Sequence, residues 1–458
     1  MSSELLERAV GRWDELVLAE GRSVEQLASR RARLDELGIL AGERALCTVL
    51  RPHLVTEEQL AEQGRVAALI SSAAIKVRDA VLADERLHRR HLGPFMEWIG
   101  ELVELDTNPL ADGALIRLDA SLARTQLHFI ELNADCPGGA GHHDSILEFF
   151  AGLDTYGRFA AEYDVRPLPL APRLLETLLG AWRDWGGAGE PSLTVLTRTD
   201  DPLRVGGLEV EVGYYRSQGV EARICDFRAL SYADGALRAD GAKIDVLHRQ
   251  MPTAECLELR TELEPLFAAV KAGTVCMVNP FRSELLGHKA LFALMGDPEH
   301  DFGLSAAERA AIREHVPWAR ALVDRPGTDP QGEALDLVPY VLAAREHLVL
   351  KPAHLYGGRE VLLGWQHSES DWRGSVERAL GGDYIVQRRV PLHRTSYPTL
   401  EDPSRHQSFF EDTDPFAFEG RLGGFLTRLS REEITNVHAG GSLTASFALG
   451  SGSKRAVA

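Results

Sequence analysis

The chain has 458 residues, 50 basic and 68 acidic side chains for a formal charge of −18 at pH 7, and 44% hydrophobic residues. At roughly 150 residues per domain, the length suggests about three globular domains, each able to bury its own core. The acidic balance argues against a protein that tracks phosphate backbones, whose affinity comes from clustered Lys and Arg, and leaves room only for a local basic site for a small anion.

Five cysteines, Cys47, Cys136, Cys225, Cys256 and Cys276, are scattered without C-x-x-C spacing, so they read as reduced thiols and not as a zinc ribbon or disulfide framework. The start Met-Ser-Ser-Glu-Leu-Leu-Glu-Arg is acidic and lacks the basic, then apolar, character of a secretory signal. No apolar run reaches the ~18 residues of a membrane span. A soluble, cytoplasmic protein is expected, with disorder required nowhere except the tail 451–458.

In chain order, residues 2–105 read as helical. Thr56-Glu-Glu-Gln59 is a capping box, and Leu60, Val66, Leu69, Ile70 and Val77 follow at helical spacing. No chemistry attaches to this region. Short apolar runs at 115–119 and 127–132 then predict a β-hairpin, followed by the turn Pro137-Gly138-Gly139. Trp185-Gly-Gly-Ala-Gly-Glu-Pro191 reads as a linker, since Gly and Pro together stop a helix. Strands at 193–196, 220–227, 244–249 and 275–278, with a helix near 203–218, predict a small parallel sheet with helices packed on it. Further strands are expected at 348–351, 360–364, 384–390, 424–429 and 443–449. The organisation is therefore residues 1–185, helical region plus hairpin; 190–283, an α/β domain; and 284–450, a mixed region.

Four segments can carry chemistry. In Glu131-x-Asn133, side chains at i and i+2 of a strand share a face, and Asp119 on the neighbouring strand can join them. Two carboxylates and a carboxamide are hard oxygen ligands suited to Mg²⁺ held between protein and phosphates, although a wet polar face of a surface hairpin would look the same. Leu348-Val-Leu-Lys351-Pro, followed by Tyr356-Gly357-Gly358, can place an ammonium and backbone N–H groups around a polyphosphate, or be a plain hairpin. Tyr384-Ile-Val-Gln387-Arg-Arg-Val390 is an apolar strand able to edge an adenine pocket or simply to fill a core. Thr427-Arg428, with Asn436-Val-His-Ala-Gly440-Gly441-Ser442 after it, sets an arginine fork beside a glycine turn where a phosphoryl group or carboxylate can be held.

Taken together, Ile-Arg117-Leu-Asp119, Ile-Glu131-Leu-Asn133, Val-Leu-Lys351-Pro with Tyr-Gly-Gly, Ile-Val-Gln387-Arg and Thr-Arg428 with Asn-Val-His-Ala-Gly-Gly resemble the ATP-grasp ligases, most like glutathione synthetase relatives. Asn279-Pro-Phe-Arg-Ser-Glu-Leu-Leu-Gly-His-Lys289 resembles the short lysine-bearing helix ahead of the first ATP lobe. The metal hairpin comes first here and not last, which is the order of the circularly permuted members, including the glutathionylspermidine synthetase group. The likeness covers about 115–145 and 190–450. It implies an α/β fold with α+β elements: a permuted ATP-grasp fold, with 190–283 as the pre-ATP-grasp domain and 284–450 carrying the ATP lobes.

The resemblance also implies roles. Asp119, Glu131 and Asn133 would hold one or two Mg²⁺ ions, and Lys289 and Lys351 would grip the phosphates of ATP. Tyr356, Gly357 and Gly358 would form a lid, Gln387 and Val390 would edge the adenine, and Arg428 would be the catalytic arginine. Arg117, Gly138, Gly139, His142, His143, Asn436, Gly440, Gly441 and Ser442 would meet the substrates. One of His142 and His143 is expected to cap a helix starting at Asp144 while the other faces the cleft. The implied activity joins a small-molecule or peptide carboxylate to an amine through an acyl phosphate, releasing ADP and phosphate. An ATP-grasp phosphotransferase or a non-catalytic nucleotide-binding protein remains an alternative. Gln387 stands where many relatives have Glu, so ATP over GTP rests on the family alone, and no N-terminal Cys/His amidase is present. No nucleic-acid or membrane partner is expected, and a homodimer stays open.

Overall fold

The computed structural model describes residues 2–453 apart from 22, 42–43, 106–107, 109–110, 124–125, 356–357, 391, 436 and 438–439. The N-terminal region builds the helices Ser2–Glu20, Val24–Glu36, Glu57–Ala83 and Glu85–Leu105. Thr56 and Gln59 cap the third of these reciprocally, each side chain accepting from the other's backbone N–H. The expected all-helical stretch is interrupted by the fully buried strand His53–Thr56. Its partner, Ser446–Ser453, lies at the other end of the chain and pairs with it in parallel, so no local pattern announced it. Trp13, buried against Phe159 and Phe150, closes the core behind this sheet and donates its indole N–H to Leu50 O at 2.8 Å.

The sheet that carries the site runs in the order Ser442–Thr444, Arg421–Ser430, His406–Phe418, Leu115–Ala123, Gln126–Asn133, with His393–Pro398 also paired to His406–Phe418. The early hairpin thus stands beside the last long strands, Arg117 opposite Phe416. The 13-residue strand His406–Phe418 at the centre of this sheet was not expected, because Glu411, Asp412, Asp414 and Pro415 are poor strand formers. Burial overrides that preference: the acids find cationic or hydrogen-bonding partners, and Pro415 stands next to a register shift at Phe416/Ala417, where a missing N–H is tolerated.

Residues 193–278 form a four-stranded parallel sheet in the order Cys276–Val278, Val246–Arg249, Leu193–Thr197, Ala222–Asp226. The helix Pro202–Ser217 connects two of its strands, and Asp201 caps that helix by accepting from Leu203 and Arg204 N–H. A small antiparallel sheet at 230–243 is an addition that the sequence reading missed. A second four-stranded sheet, Ala319–Ala321, Tyr384–Arg388, Leu348–Pro352, Leu362–Leu363, packs on Trp372, Val376, Leu337 and Val341. The strand expected at 360–364 shrinks to two residues before a turn of 3₁₀-helix. No helix among the described residues is long and apolar enough to cross a membrane.

Candidate functional site

A cleft of about 490 Å³ lies between the six-stranded sheet that carries the hairpin and the four-stranded sheet that carries Lys351. Its floor is the hairpin. Residues directly opposite on an antiparallel pair share a face, and Arg117 stands opposite Asn133 while Asp119 stands opposite Glu131. All four line the cleft. Arg117 donates to both oxygens of Asp119, at 2.8 and 3.2 Å, and to Gly138 O at 3.1 Å. Asn133 adds its amide N–H to Asp119 at 2.7 Å.

The strands His406–Phe418 and Arg421–Ser430 supply the wall beside it. Arg428 stands opposite Asp412, and Asp414 is two residues further along the same face. Arg428 Nη2 reaches Asp119 at 2.7 Å and Asp412 at 2.5 Å, and its Nε lies 2.9 Å from Asp414 Oδ2. Burial opposes the charge of Asp119, but the guanidiniums of Arg117 and Arg428 overcome it and hold its carboxyl below the usual range. Asp414 goes the other way: burial, opposed by Arg428 but reinforced by Asp119 and Asp412, lifts it well above the usual carboxylate range.

Asp412 and Asp414 were not singled out in the sequence. The available signal was an Asp-x-Asp in a strand, the same two-residue spacing as Glu131-x-Asn133. Asp412 Oδ2 takes the hydrogen bonds from Arg428 and Thr435, while its Oδ1 is buried in the cleft wall without a hydrogen-bond partner.

The opposite wall is the Lys351 sheet. Val349 and Lys351 share a face, with Gln387 directly opposite Val349, and all three line the cleft. Burial pushes the Lys351 ammonium down to about 8, against the attraction of Glu131. Lys289, the first residue of the helix Lys289–Met295, donates to Leu355 O at 2.6 Å and lies 3.4 Å from Glu131. Gln387 spends an amide N–H on Ile130 O at 3.1 Å, which ties this sheet to the hairpin. Val390 joins Val349, Val361 and Leu363 in an apolar end of the cleft. Arg389 covers the Trp365 ring there at 3.9 Å and pairs with Glu433 at 3.0 Å.

Gly358 sits at the cleft mouth with φ of +73°, and a Cβ there would lie 2.7 Å from Ile434 Cγ2, so only glycine fits this approach. Tyr356, Gly357 and Asn436 lie outside the described residues.

The far end of the cleft is formed by Gly138, Gly139 and His142 with Gln250, Glu211 and Glu284. The helix expected from Asp144 starts at Ala140, so both histidines fall in its first turn and neither caps it. His142 shares a hydrogen bond with Leu203 O at 2.8 Å and lines the cleft. His143 does not reach it: that side chain is fully buried, 3.1 Å from Leu168 O. Asp144 instead accepts from Leu170 and Ala171 N–H. Ser442 is also turned away, its hydroxyl donating to Leu46 O and accepting from Thr48 N–H. Gly440 and Gly441 are likewise not among the lining residues. A backbone segment remote in sequence claims each of these two side chains, Leu168 for His143 and Leu46 with Thr48 for Ser442.

Near this end Asp135 accepts from Arg249 at 2.6 Å and from the Thr253 N–H and hydroxyl, both at 2.7 Å. Burial and then the neighbouring Asp135 raise Glu284 well above the usual range, while Arg249 holds Asp135 below it. Burial, helped by the nearby Asp144 and opposed by the Gly141 N–H, lifts Glu211 to about 8.

No protein-family model matches the chain, and neither does any curated protein. Among solved structures it is similar to a glutathione synthetase-like effector from Globodera pallida in apo form, at 11% identity and a TM-score of 0.58, over 92% of this chain and 96% of that one. The likeness shows the fold alone, a mixed α/β arrangement similar to that of this glutathione synthetase-like protein. A putative γ-glutamylcysteine synthetase from Methylobacillus flagellatus KT aligns over 86% of this chain and 89% of its own, also at 11% identity, but its TM-score of 0.39 carries no argument. The same holds for the D-alanyl-alanine synthetase A from Vibrio cholerae, at 11% identity and a TM-score of 0.26 over 50% of this chain and 68% of that one.

The arrangement pairs an apolar slot with four cations, Arg117, Lys289, Lys351 and Arg428, and with acids that converge between them. Such a cleft has the chemistry to hold an apolar group at one end and an anion in the middle.

Proposed function

We propose that the chain is an ATP-dependent carboxylate–amine ligase, built on a circularly permuted ATP-grasp arrangement and working through an acyl phosphate. One observation carries the reading: Glu131, Lys289, Lys351, Gln387 and Arg428, spread over most of the sequence, line one cleft. In this reading the apolar end around Val349, Val390 and Trp365 takes the adenine, and Lys289 and Lys351 bind the phosphates.

The residues present fit Mg²⁺. Glu131 and Asn133 offer hard oxygens, and the unpartnered Asp412 Oδ1 points to a cation among them. Asp119, already bonded to two arginines and an amide, acts chiefly by orienting Arg117 and Arg428 and would share an oxygen with the ion at most. Bound there, Mg²⁺ would supply charge neutralisation for the phosphates.

The protein's own groups do the rest. Arg117 and Arg428 hold the substrate carboxylate against the γ-phosphate. A carboxylate oxygen attacks phosphorus and ADP leaves. The amine then attacks the acyl carbon, its proton is lost, and phosphate departs as the amide forms. Arg428 stabilises the charge at both stages. Exclusion of water from the cleft would protect the acyl phosphate.

Calorimetric titration with a non-hydrolysable ATP analogue and Mg²⁺ tests the nucleotide assignment. One equivalent is expected to bind wild type, with binding lost in Lys351→Ala. Absence of binding to wild type overturns the reading.

A further inference from the structure

Outside the cleft, just beyond the helix Lys289–Met295, Asp297, Glu299 and His300 each present a ligand atom, all within 4.8 Å of one another. Facing them from the helix Glu85–Leu105 is His91, only 6% exposed, with neither ring nitrogen hydrogen-bonded. His91, Asp297 and Glu299 line one small cavity. The His91 and His300 rings are 6.5 Å apart between centroids, and His300 Nε2 is also buried without a partner.

Buried polar atoms are nearly always paired, so an imidazole with both nitrogens bare points to a missing ligand. Arg320 shares the cavity wall, but it is committed to the carbonyls of Gly296 and Ala319 and to the Thr328 hydroxyl. Asp297 accepts the short-range N–H of Glu299 at 3.1 Å.

We propose that His91, Asp297, Glu299 and His300 bind one divalent transition-metal ion of the zinc type. Two imidazoles with two carboxylates suit Zn²⁺, whose bonds to nitrogen and oxygen are about 2.0–2.2 Å, so that two imidazoles on one ion have centroids roughly 5–6 Å apart. A small inward movement of the turn closes the remaining gap. Mg²⁺ prefers all-oxygen sets, so this site differs in chemistry from the cleft. The ion would cross-brace the helix Glu85–Leu105 to the end of the short helix that begins at Lys289, and so steady Lys289 in the cleft.

The test uses Zn²⁺ itself. Chelator-stripped full-length protein is titrated with Zn²⁺ in excess Mg²⁺, which competes at the oxygen-rich cleft, and binding stoichiometry and Tm are read. Wild type is expected to bind one more equivalent than the variant carrying both Asp297→Asn and His300→Ala, or to bind that equivalent at least about tenfold more tightly, and to gain Tm on Zn²⁺ addition where the variant does not. Both substitutions lie on a partly exposed turn, although the His300 ring also packs on Phe302, so Tm shifts are compared with and without Zn²⁺ for each protein. His91→Gln, on the other helix, is expected to weaken the same equivalent. Equal uptake and equal thermal shift in wild type and all variants overturn the proposal, as does a wild type that binds no Zn²⁺.

Discussion

Arg428 Nη2 lies 2.7 Å from Asp119 Oδ2, although 309 residues separate them in the chain. The same guanidinium nitrogen also meets Asp412, so one arginine joins the early hairpin to the late strands. Arg428→Lys keeps the charge but loses the planar fork that spans these acids. Turnover is expected to fall by ~10²-fold, a loss of roughly 3 kcal/mol of transition-state stabilisation. Affinity for an ATP analogue should change little. Rates of ADP release and calorimetric binding on the same preparation separate the two effects, and equal losses in both would place Arg428 in nucleotide binding instead.

Glu131→Gln removes one negative ligand from the cleft and is expected to abolish Mg²⁺-dependent ATP turnover with the circular dichroism unchanged. Asp412→Asn should raise the half-saturating Mg²⁺ by about tenfold or more, since it alters the only buried carboxylate oxygen of this wall that is both in the lining and left without a bond. Wild-type Mg²⁺ dependence in both variants would refute the metal assignment.

Lys351 gives a pH signature. Its folded value is lowered from 10.5 to about 8 by burial, so the fold favours the neutral amine and the cation is lost as pH rises through about 8. The cation is the form that grips phosphate. kcat/KM for ATP, which reports the free enzyme, should therefore decline above about pH 8. Lys351→Arg keeps a cation at every accessible pH and should remove that limb. A wild-type profile flat to pH 10 would contradict the assignment.

Gly141 lies where the helix Ala140–Ala151 crosses Pro202–Ser217, and a Cβ there would stand 1.8 Å from Gly207 O. That atom is backbone and cannot rotate away. Gly141→Ala is expected to cost about 1–3 kcal/mol or more, read as a lowered Tm, because the helices must separate. The movement should also disturb the His142 contact with Leu203 and the far end of the cleft. Gly213→Ala, inside the same helix with no atom within 4 Å of the new Cβ, is the control and should keep Tm or raise it slightly, since Ala favours a helix over Gly.

What the sequence disclosed was local. The alternation around Asp119 and Glu131 announced a hairpin with one polar face, and the short apolar runs at 193–278 announced a parallel sheet. The pairing of Asp412 with Arg428 was hidden, because a strand containing Asp, Asp and Pro offends local preference and is rescued only by distant arginines. His143 and Ser442 were misplaced for the complementary reason. Each stands near functional residues in sequence, yet its hydrogen-bonding group is taken up by a backbone segment remote from it, Leu168 in one case and Leu46 and Thr48 in the other.

The central claim is that the cleft activates a carboxylate with ATP. Incubation of the protein with ATP, Mg²⁺ and hydroxylamine across a panel of amino acids, short peptides and other small carboxylates, with ADP, free phosphate and hydroxamate measured together, tests it most directly. The account predicts one hydroxamate and one free phosphate for each ADP with the right acid, and none of the three in Glu131→Gln. A stable phosphate ester formed one-for-one with ADP, with no free phosphate and no hydroxamate, would contradict it and identify a phosphotransferase.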